Sequence, residues 1–233
     1  IFNQKDGISY CPVFKVSNTS GKNLSLLKEF LQNLSPNRKK SLEKKKKLFL
    51  VNDVFHISGV GVVVTGIQKR GEIRKGDKLF IGPINKKYRK IIIKTIHDNY
   101  QNFIDILHPL NSGCFWIKSA EKEKINKSLF RKGMVIVSVP EKYTHFDAEV
   151  SIIHHPTSIK LGYQPVIHTG NISQSAKIIK ICNGNQITNI LRSGDTGKIS
   201  FKFLYYPVFI EKDNTIIFRE GKTKGIGKII SVY

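Results

Sequence analysis

The 233-residue chain has few cysteines and no long apolar run. Its three cysteines, Cys11, Cys114 and Cys182, form no C-x-x-C pair, so no zinc or redox motif is encoded. Cysteines isolated in apolar runs are typical of core residues in a reducing compartment, and we therefore predict a cytoplasmic protein. No stretch approaches the roughly 20 apolar residues that span a bilayer. No signal-peptide pattern opens the chain either, so we predict no membrane partner.

Nucleotide-binding and catalytic motifs are also missing. There is no G-x-x-x-x-G-K-[ST] phosphate loop and no G-x-S-x-G nucleophile turn. Among the seven histidines, the pair His154 and His155 is the densest. Successive side chains on a strand point to opposite faces, so we predict no metal site there. The chain alone is therefore predicted not to be an enzyme and to hold no cofactor. Because it opens without Met, we expect a fragment or a processed product.

Acidic residues are scarce relative to basic ones. Asp and Glu total 17 against 39 Lys and Arg, for a formal charge of +22. Such an excess favours a polyanion partner, with RNA or DNA ahead of a membrane. The alternative is coding bias in a chain rich in Lys, Ile and Asn. Bias predicts lysines on every face, whereas a binding surface predicts clusters.

What the chain does contain is a series of short apolar runs separated by glycine turns. Residues 49–82 show this pattern most clearly, with glycines at six positions. Runs this short and regular are typical of strands in antiparallel barrels. We predict a mainly β fold with two consecutive antiparallel β-barrels, over residues 48–140 and 145–233.

The segment before the barrels has a different pattern. Residues 11–16 predict a strand, residues 17–21 a turn, and the leucines from Leu24 to Leu34 a helix that Pro36 stops. One strand and one helix cannot bury a core alone. Residues 1–36 therefore either pack on a barrel or end an α/β domain. The basic block at 37–47 is most simply a solvated linker, and an RNA-contacting arm is the alternative.

Five motifs resemble the second and third domains of translational GTPases. The run from Val54 to Asp77 resembles the second-domain signature V-F-x-I-x-G-x-G-x-V-V-x-G-x-x-x-x-G-x-I-x-x-G-D. The third-domain motifs F-x-A-x-V-x-I-L, G-Y-x-P, L-R-x-G-D and R-E-G-x-T-x-G-x-G are matched by 146–153, 162–168, 191–195 and 219–227. Lys224 departs from elongation factor Tu, where an apolar residue is usual. The chain is most similar to the branch of GTP-binding proteins 1 and 2.

This resemblance gives the first segment a meaning. It implies that residues 1–36 are the strand, guanine-contacting loop and last helix of a GTP-binding domain, with Ser17, Asn18 and Thr19 in the loop. Helix capping is the alternative role for these residues. The resemblance further implies a parent protein that binds GTP and Mg²⁺, hydrolyses GTP and carries the missing domain in cis.

The resemblance and the charge together define candidate RNA contacts. Lysines and glycines share the closing segment, where small residues allow a phosphate to approach the backbone. The segment 85–90 is basic, and its Tyr88 is suited to stacking a base, with an exposed hairpin tip as the alternative. The predicted nucleic-acid contacts are His168, Thr169, Gln174, Lys222, Thr223, Lys224, Lys86, Lys87 and Arg89.

A second candidate site follows from the resemblance alone. Residues 111–118 lie where relatives build the pocket for the charged acceptor end of transfer RNA. Trp116 stands where a smaller aliphatic residue is usual. The predicted pocket residues are Asn111, Gly113, Trp116 and Lys118.

These observations predict the barrel-barrel portion of a translation elongation factor-like GTPase. We expect it to engage aminoacyl-tRNA or the ribosome as a monomer and to relay the nucleotide state of the missing domain. Two alternatives stay open: a stand-alone, non-catalytic RNA-binding module derived from such a factor, and a protein-interaction module whose lysines reflect composition.

Overall fold

The computed structural model describes residues 12–34, 42–84, 86–121, 125–184 and 186–233, which fall into two compact units, residues 1–39 and 40–233. The first unit contains one helix, α1 (Leu24–Gln32), as the leucine spacing predicts. The rings of Phe14 and Phe30 lie 5.0 Å apart and pack this small unit. Residues 12–16 form no strand, and the Lys15 carbonyl accepts the side-chain amide of Asn23 at 2.8 Å. Cys11 and Pro36 lie outside the described residues.

The second unit begins with a barrel of six antiparallel strands. Its strands pair in the order β4-β9-β1-β2-β8-β5, and β4–β5 pairing closes the ring. The short β6 extends β5, and β3 pairs with β7 beside the barrel. A 3-10 helix, Lys127–Leu129, precedes the last strand. The strands are β1 (Leu48–Ile57), β2 (Gly61–Arg70), β3 (Ile73–Arg74), β4 (Lys78–Ile84), β5 (Lys87–His97), β6 (Phe103–Ile104), β7 (Ile106–Leu107), β8 (Ser112–Ser119) and β9 (Val135–Val137).

The second barrel repeats this plan. Its six strands pair in the order β12-β17-β18-β10-β16-β13, closed by β12–β13 pairing. The short β14 extends β13, and β11 pairs with β15. The strands are β10 (His145–His154), β11 (Ile159–Lys160), β12 (Val166–Thr169), β13 (Ile172–Asn183), β14 (Gln186–Thr188), β15 (Ile190–Leu191), β16 (Thr196–Phe203), β17 (Thr215–Glu220) and β18 (Thr223–Val232). The prediction of two consecutive barrels is confirmed.

Alternation along the strands builds both cores. In β10, Phe146, Ala148, Val150 and Ile152 are buried while their neighbours face outward. This period of two is what places one face of each strand inside a barrel. Gly225 is required where β18 passes Phe218 of β17, since a Cβ there would lie 2.1 Å from the Phe218 ring.

The two barrels are joined by a separate set of contacts. Leu48, Val135 and Val137 of the first barrel form an apolar cluster with Phe209 of the second. Asn171 donates its side-chain amide to the backbone oxygens of Val51 at 3.0 Å and of Met134 at 2.9 Å. Polar and apolar contacts thus fix the second barrel against the first.

Part of the predicted linker is also fixed. The carbonyl of Leu42 accepts the backbone N–H of Gly71 at 2.8 Å. The ammonium of Lys47 pairs with Asp77. Leu42 and Lys47 are half-buried and residues 43–46 are exposed, so these contacts hold one part of the segment against the first barrel. The solvated linker over 37–47 stays a prediction. Residues 37–41 lie outside the described residues, and among the described residues no helix has the length and apolar character needed to cross a membrane.

Candidate nucleic-acid interface

A row of cations crosses one wall of the second barrel. Lys224 of β18 is directly opposite Arg219 on one side and His154 on the other. All three side chains are exposed, and within the described residues none makes an ion pair. We call His154, Lys224 and Arg219 the hairpin row, since β17 and β18 form the closing hairpin. The two aligned cations Lys224 and Arg219, with an exposed histidine beside them, make a local site for an anion.

His168 and Lys222 extend the same wall. His168 of β12 is exposed and lies opposite Ile217 of β17. Ile217 is two residues before Arg219, the member of the hairpin row on that strand. Lys222 is exposed in the turn between β17 and β18. The predicted contacts Lys222, Lys224 and His168 therefore face solvent on one wall of the barrel, whereas sequence reasoning missed Arg219 and His154. Arg219 has the same outward phase as Lys224 in the closing hairpin, and this alternation is the signal that could have found it. His154 is in the inward phase of Ile152 and is exposed after a register shift between these two residues, which the sequence does not reveal.

Three other predicted contacts point inward. Thr169, Gln174 and Thr223 are at most 5% exposed. The Thr169 hydroxyl donates to the carbonyl of Thr215 at 2.9 Å. The Gln174 amide oxygen accepts the backbone N–H groups of Tyr205 and Tyr206 at 3.2 and 2.9 Å. These side chains are satisfied inside the barrel, so an RNA on this wall meets other groups.

Thr223 belongs to a small buried network. Its hydroxyl lies 2.6 Å from Nδ1 of His155 and accepts the Tyr163 hydroxyl at 3.0 Å. Burial raises the pKa of the Tyr163 phenol, so the phenol stays protonated and can donate. The network anchors the closing hairpin to the loop after β10. It also separates the adjacent histidines, since His155 turns inward while His154 faces solvent.

Trp116 lies in an apolar outward row on the first barrel. It is half-buried and stands opposite Val63 of β2 and Thr95 of β5, while Val63 stands opposite Phe55 of β1. Phe55 is 47% exposed, as is Ile57 two residues further on. Sequence reasoning missed both residues, because alternation from the buried Phe49 and Val51 predicts Phe55 and Ile57 inward. A register shift between Val51 and Asp53 turns them outward.

A cleft of about 270 Å³ lies beside this row. Its lining includes Asn52, Thr65, Gly66, Asp98, Asn99, Ser112, Gly113 and Cys114. Burial raises the pKa of the Cys114 thiol, which therefore stays protonated. An apolar wall with a polar cleft at one end can hold a ring and fix a polar group beside it.

The four predicted pocket residues take different positions around this cleft. Gly113 lines it, and a Cβ there would lie 2.7 Å from the His97 carbonyl oxygen. Trp116 lies one outward position beyond Cys114, and Lys118 is exposed one further position along β8. Asn111 is exposed before β8, and its carbonyl accepts the Gln68 backbone N–H at 2.9 Å. Three of the four thus lie on β8, and Gly113 alone of the four lines the cleft itself.

The basic hairpin between β4 and β5 differs from its prediction in one respect. Lys86 and Lys87 are exposed and Arg89 is half-buried. Tyr88 packs on the cluster between the barrels, and its hydroxyl donates to the Glu141 carbonyl at 2.5 Å. Burial, with the nearby Glu141 charge, raises the pKa of Tyr88. Tyr88 is therefore a structural ring and not the free stacking platform that the sequence predicts.

The proposed guanine-loop residues form a tight turn in the first unit. The Ser17 hydroxyl accepts the backbone N–H of Ser20 at 3.2 Å, and Asn18 and Thr19 are exposed. Asn23 precedes α1 without capping it and donates its amide to the Lys15 carbonyl at 2.8 Å. The hydroxyl of Ser17 thus stabilises the turn and does not cap the helix.

One group of possible metal ligands occurs among the described residues. Ligand atoms of Glu43, Glu72 and His108 all lie within 4.8 Å of one another. However, Glu72 already pairs with Arg74 at 2.7 Å and lies 2.9 Å from Nδ1 of His108. Glu72 is thus already engaged by two side chains.

Comparison with known proteins gives consistent relatives. GTP-binding protein 1 of Xenopus laevis is 37% identical over 223 residues, which cover 94% of this chain and 32% of that protein. GTP-binding protein 2 of Homo sapiens is 32% identical over 95% of this chain and 36% of its own length. Elongation factor 1-alpha of Desulfurococcus mucosus is 30% identical over 78% of this chain and 44% of its own length. No protein-family model matches the chain.

Two closed antiparallel barrels in tandem, with a basic row on the outer wall of the second, define a tandem β-barrel protein. The relatives place this architecture: the chain belongs to the translational GTPases of the elongation factor Tu superfamily. Its similarity to GTP-binding proteins 1 and 2 covers more of the chain than its similarity to elongation factor 1-alpha. The chain spans about a third of the length of the GTP-binding proteins it matches.

Proposed function

We propose that this chain is the RNA-holding portion of an elongation factor-like GTPase. In this role the two barrels engage aminoacyl-tRNA or the ribosome and relay the nucleotide state of a GTP-binding domain in cis. Relatives named elongation factor 1-alpha support this class of function.

The hairpin row is the observation that carries the proposal. Arg219 and Lys224 are directly opposite each other on adjacent strands, where like charges normally destabilise a sheet. Within the described residues no carboxylate pairs with either cation. A phosphate backbone along this wall offsets the repulsion, and lysine and arginine contact phosphates without reading sequence.

The first barrel supplies the second contact in this proposal. Trp116 and Phe55 offer ring faces for a terminal base, and base stacking on an aromatic side chain contributes about 1–3 kcal/mol. The cleft beside them accommodates a small polar group, such as the aminoacyl ester of a charged transfer RNA. Barrel one would then recognise the charged end, and barrel two the helical body.

GTP chemistry belongs to the parent protein in this proposal. The chain has no phosphate loop, so it should neither hydrolyse GTP nor bind it tightly by itself. Calorimetry tests this point, and micromolar GTP affinity of the 233-residue chain would contradict it. A parent reading frame that encodes an upstream phosphate loop favours the GTPase over a stand-alone RNA-binding module.

Binding of charged and uncharged transfer RNA tests the proposal. Trp116 is the only tryptophan of the chain, so its fluorescence reports directly on the first-barrel site. Charged transfer RNA should bind more tightly than uncharged transfer RNA, and only the charged form should change the Trp116 emission. The double variant R219A/K224A should bind both charged and uncharged transfer RNA more weakly than the parent. The control K198A/K228A removes the same charge from lysines that are already paired with Asp147 and Asp213, and it should bind like the parent.

The second candidate is a protein-interaction module with composition-driven lysines. The observation that favours it is that cations occupy more than one wall of the second barrel, since Lys177 and Lys202 are exposed on β13 and β16. A flat salt dependence of RNA binding, with equal effects of R219A/K224A and K198A/K228A, would select this candidate.

A further inference from the structure

A second row of cations lies at the other end of β10. Lys202 of β16 is directly opposite His145 of β10 and Lys177 of β13. Lys177 and Lys202 are exposed, and His145 is half-buried. We call His145, Lys202 and Lys177 the β16 row. It uses two strands that the hairpin row does not, so the two rows are separate surfaces.

No acidic group neutralises the β16 row. Within the described residues, Lys177 and Lys202 make no ion pair. Along the paired strands β10 and β16, the carboxylate nearest to the row is that of Asp147, two residues after His145 on β10. That carboxylate is already engaged, by Lys198 at 3.3 Å and by the Ser200 hydroxyl at 2.6 Å. The positive charge of Lys177 and Lys202 is therefore uncompensated inside the barrel.

Like charges directly opposite each other on neighbouring strands destabilise a sheet. Elsewhere on this barrel exposed lysines do have acidic partners, since Lys198 pairs with Asp147 and Lys228 with Asp213. Lys177 and Lys202 are opposed and have no such acidic partner among the described residues. A polyanion that binds outside the barrel explains this arrangement. We propose that the β16 row is a second phosphate-binding surface, which contacts the backbone of a helical RNA. This inference rests on the proposed function.

The spacing of the two rows favours a long RNA helix. His145 and His154 stand nine residues apart on β10, which corresponds to roughly 30 Å at about 3.3 Å per residue. A stiff duplex presents phosphates continuously over such a distance. Lysines supply point charges without the geometry that reads bases, so the row positions an RNA and does not select its sequence.

Salt titration of RNA binding tests the second surface. The probe is a 20-base-pair RNA duplex, and the proteins are the parent chain, K177A/K202A, R219A/K224A and the control K198A/K228A. Each phosphate contact contributes about 0.9 to the slope of log K against log salt for a duplex, and about 0.7 for a single strand. K177A/K202A should therefore reduce the slope by about 1.4–1.8 and weaken binding at 50 mM salt. Its melting temperature should be unchanged or higher at low salt, because the repulsion is removed.

Four outcomes would overturn the inference or separate it from the function. In the first, K177A/K202A has the same slope of log K against log salt as the parent, while R219A/K224A has a smaller slope. The β16 row then does not contact RNA, and the proposed function stands. If K177A/K202A and K198A/K228A reduce the slope equally, only net charge matters and the inference fails. If K177A/K202A loses binding to poly-glutamate but keeps its RNA slope, the row serves an acidic protein instead. Absence of RNA binding by the parent rejects the proposed function together with the inference.

Discussion

Arg70 of the first barrel and Glu211 of the second form a two-pronged ion pair, with both nitrogen–oxygen distances at 2.6 Å. Both side chains are at most 30% exposed. Arg70 ends β2, and Glu211 follows the apolar segment 208–210 that packs inward. The pair borders a cleft of about 340 Å³ between the barrels, where Asn171 also lies. It is one of the contacts that make two barrels one unit.

We predict that Arg70→Ala loosens the junction between the barrels. Hydrogen bonds between charged partners contribute about 1.5–3 kcal/mol, and partial exposure lowers the expected loss here to about 1–2 kcal/mol. Arg70→Lys should restore little of this, since an ammonium cannot form the paired geometry. Urea unfolding measures the change.

The matched control is Arg74→Ala, which breaks the more exposed pair with Glu72 inside one barrel. It should cost less than about 1 kcal/mol. If Arg70→Ala and Arg74→Ala lower the free energy of unfolding equally, the ion pair between the barrels stabilises the protein no more than a pair inside one barrel.

Strand periodicity and turn residues carried most of the fold prediction. The predicted barrel ranges, 48–140 and 145–233, contain the eighteen strands of the described residues, because alternation and glycine turns are local signals. The apolar pattern of residues 11–16 predicts a strand, but residues 12–16 form none. Their hydrogen-bonding state depends on a neighbouring strand, which local sequence does not specify.

The site was predictable only in part for a similar reason. Lys222, Lys224 and His168 face solvent as predicted, because polar side chains in alternating strands point outward. Thr223 and Gln174 are polar too, but each finds hydrogen-bond partners far away in the chain, at His155 and Tyr205. Tyr88 is fixed by Glu141, 53 residues away. Alternation predicts that single basic side chains such as Arg219 face outward, but their alignment into rows depends on the register between strands, which local sequence does not specify.

Gly225→Ala should destabilise the second barrel. The added methyl would lie 2.1 Å from the Phe218 ring, which is fully buried and opposite in the ladder. Overpacking of this kind costs about 1–3 kcal/mol. Chemical denaturation measures it. Phe218→Leu in the same chain relieves the overlap, so the double variant should be more stable than the sum of the two single losses predicts. Strict additivity would contradict the steric explanation.

Tyr88 should make stability fall at alkaline pH. Burial and the Glu141 charge raise the pKa of its phenol above the ordinary value of 10.0. A raised pKa in the folded protein means that the stabilisation is fully present below pH about 10 and is lost as the pH rises further. We expect the stability advantage of the parent over Tyr88→Phe in urea unfolding to shrink between pH 9 and pH 11, a window set by the ordinary pKa of about 10. A constant difference across that range would contradict the burial of the phenol.

Thr223 should act on RNA binding by holding the closing hairpin and not by touching RNA. Its hydroxyl joins His155 and Tyr163, and the side chain is 2% exposed. Thr223→Val should cost about 1 kcal/mol of stability through the lost hydrogen bonds, and Thr223→Ser should retain most of it. Tyr163→Phe removes the same network from its other end. Thr223→Val and Tyr163→Phe should therefore lower RNA affinity to a similar degree, and the double variant should be little worse than either. A loss confined to Thr223→Val, with Tyr163→Phe binding like the parent, would instead assign Thr223 a direct contact with RNA.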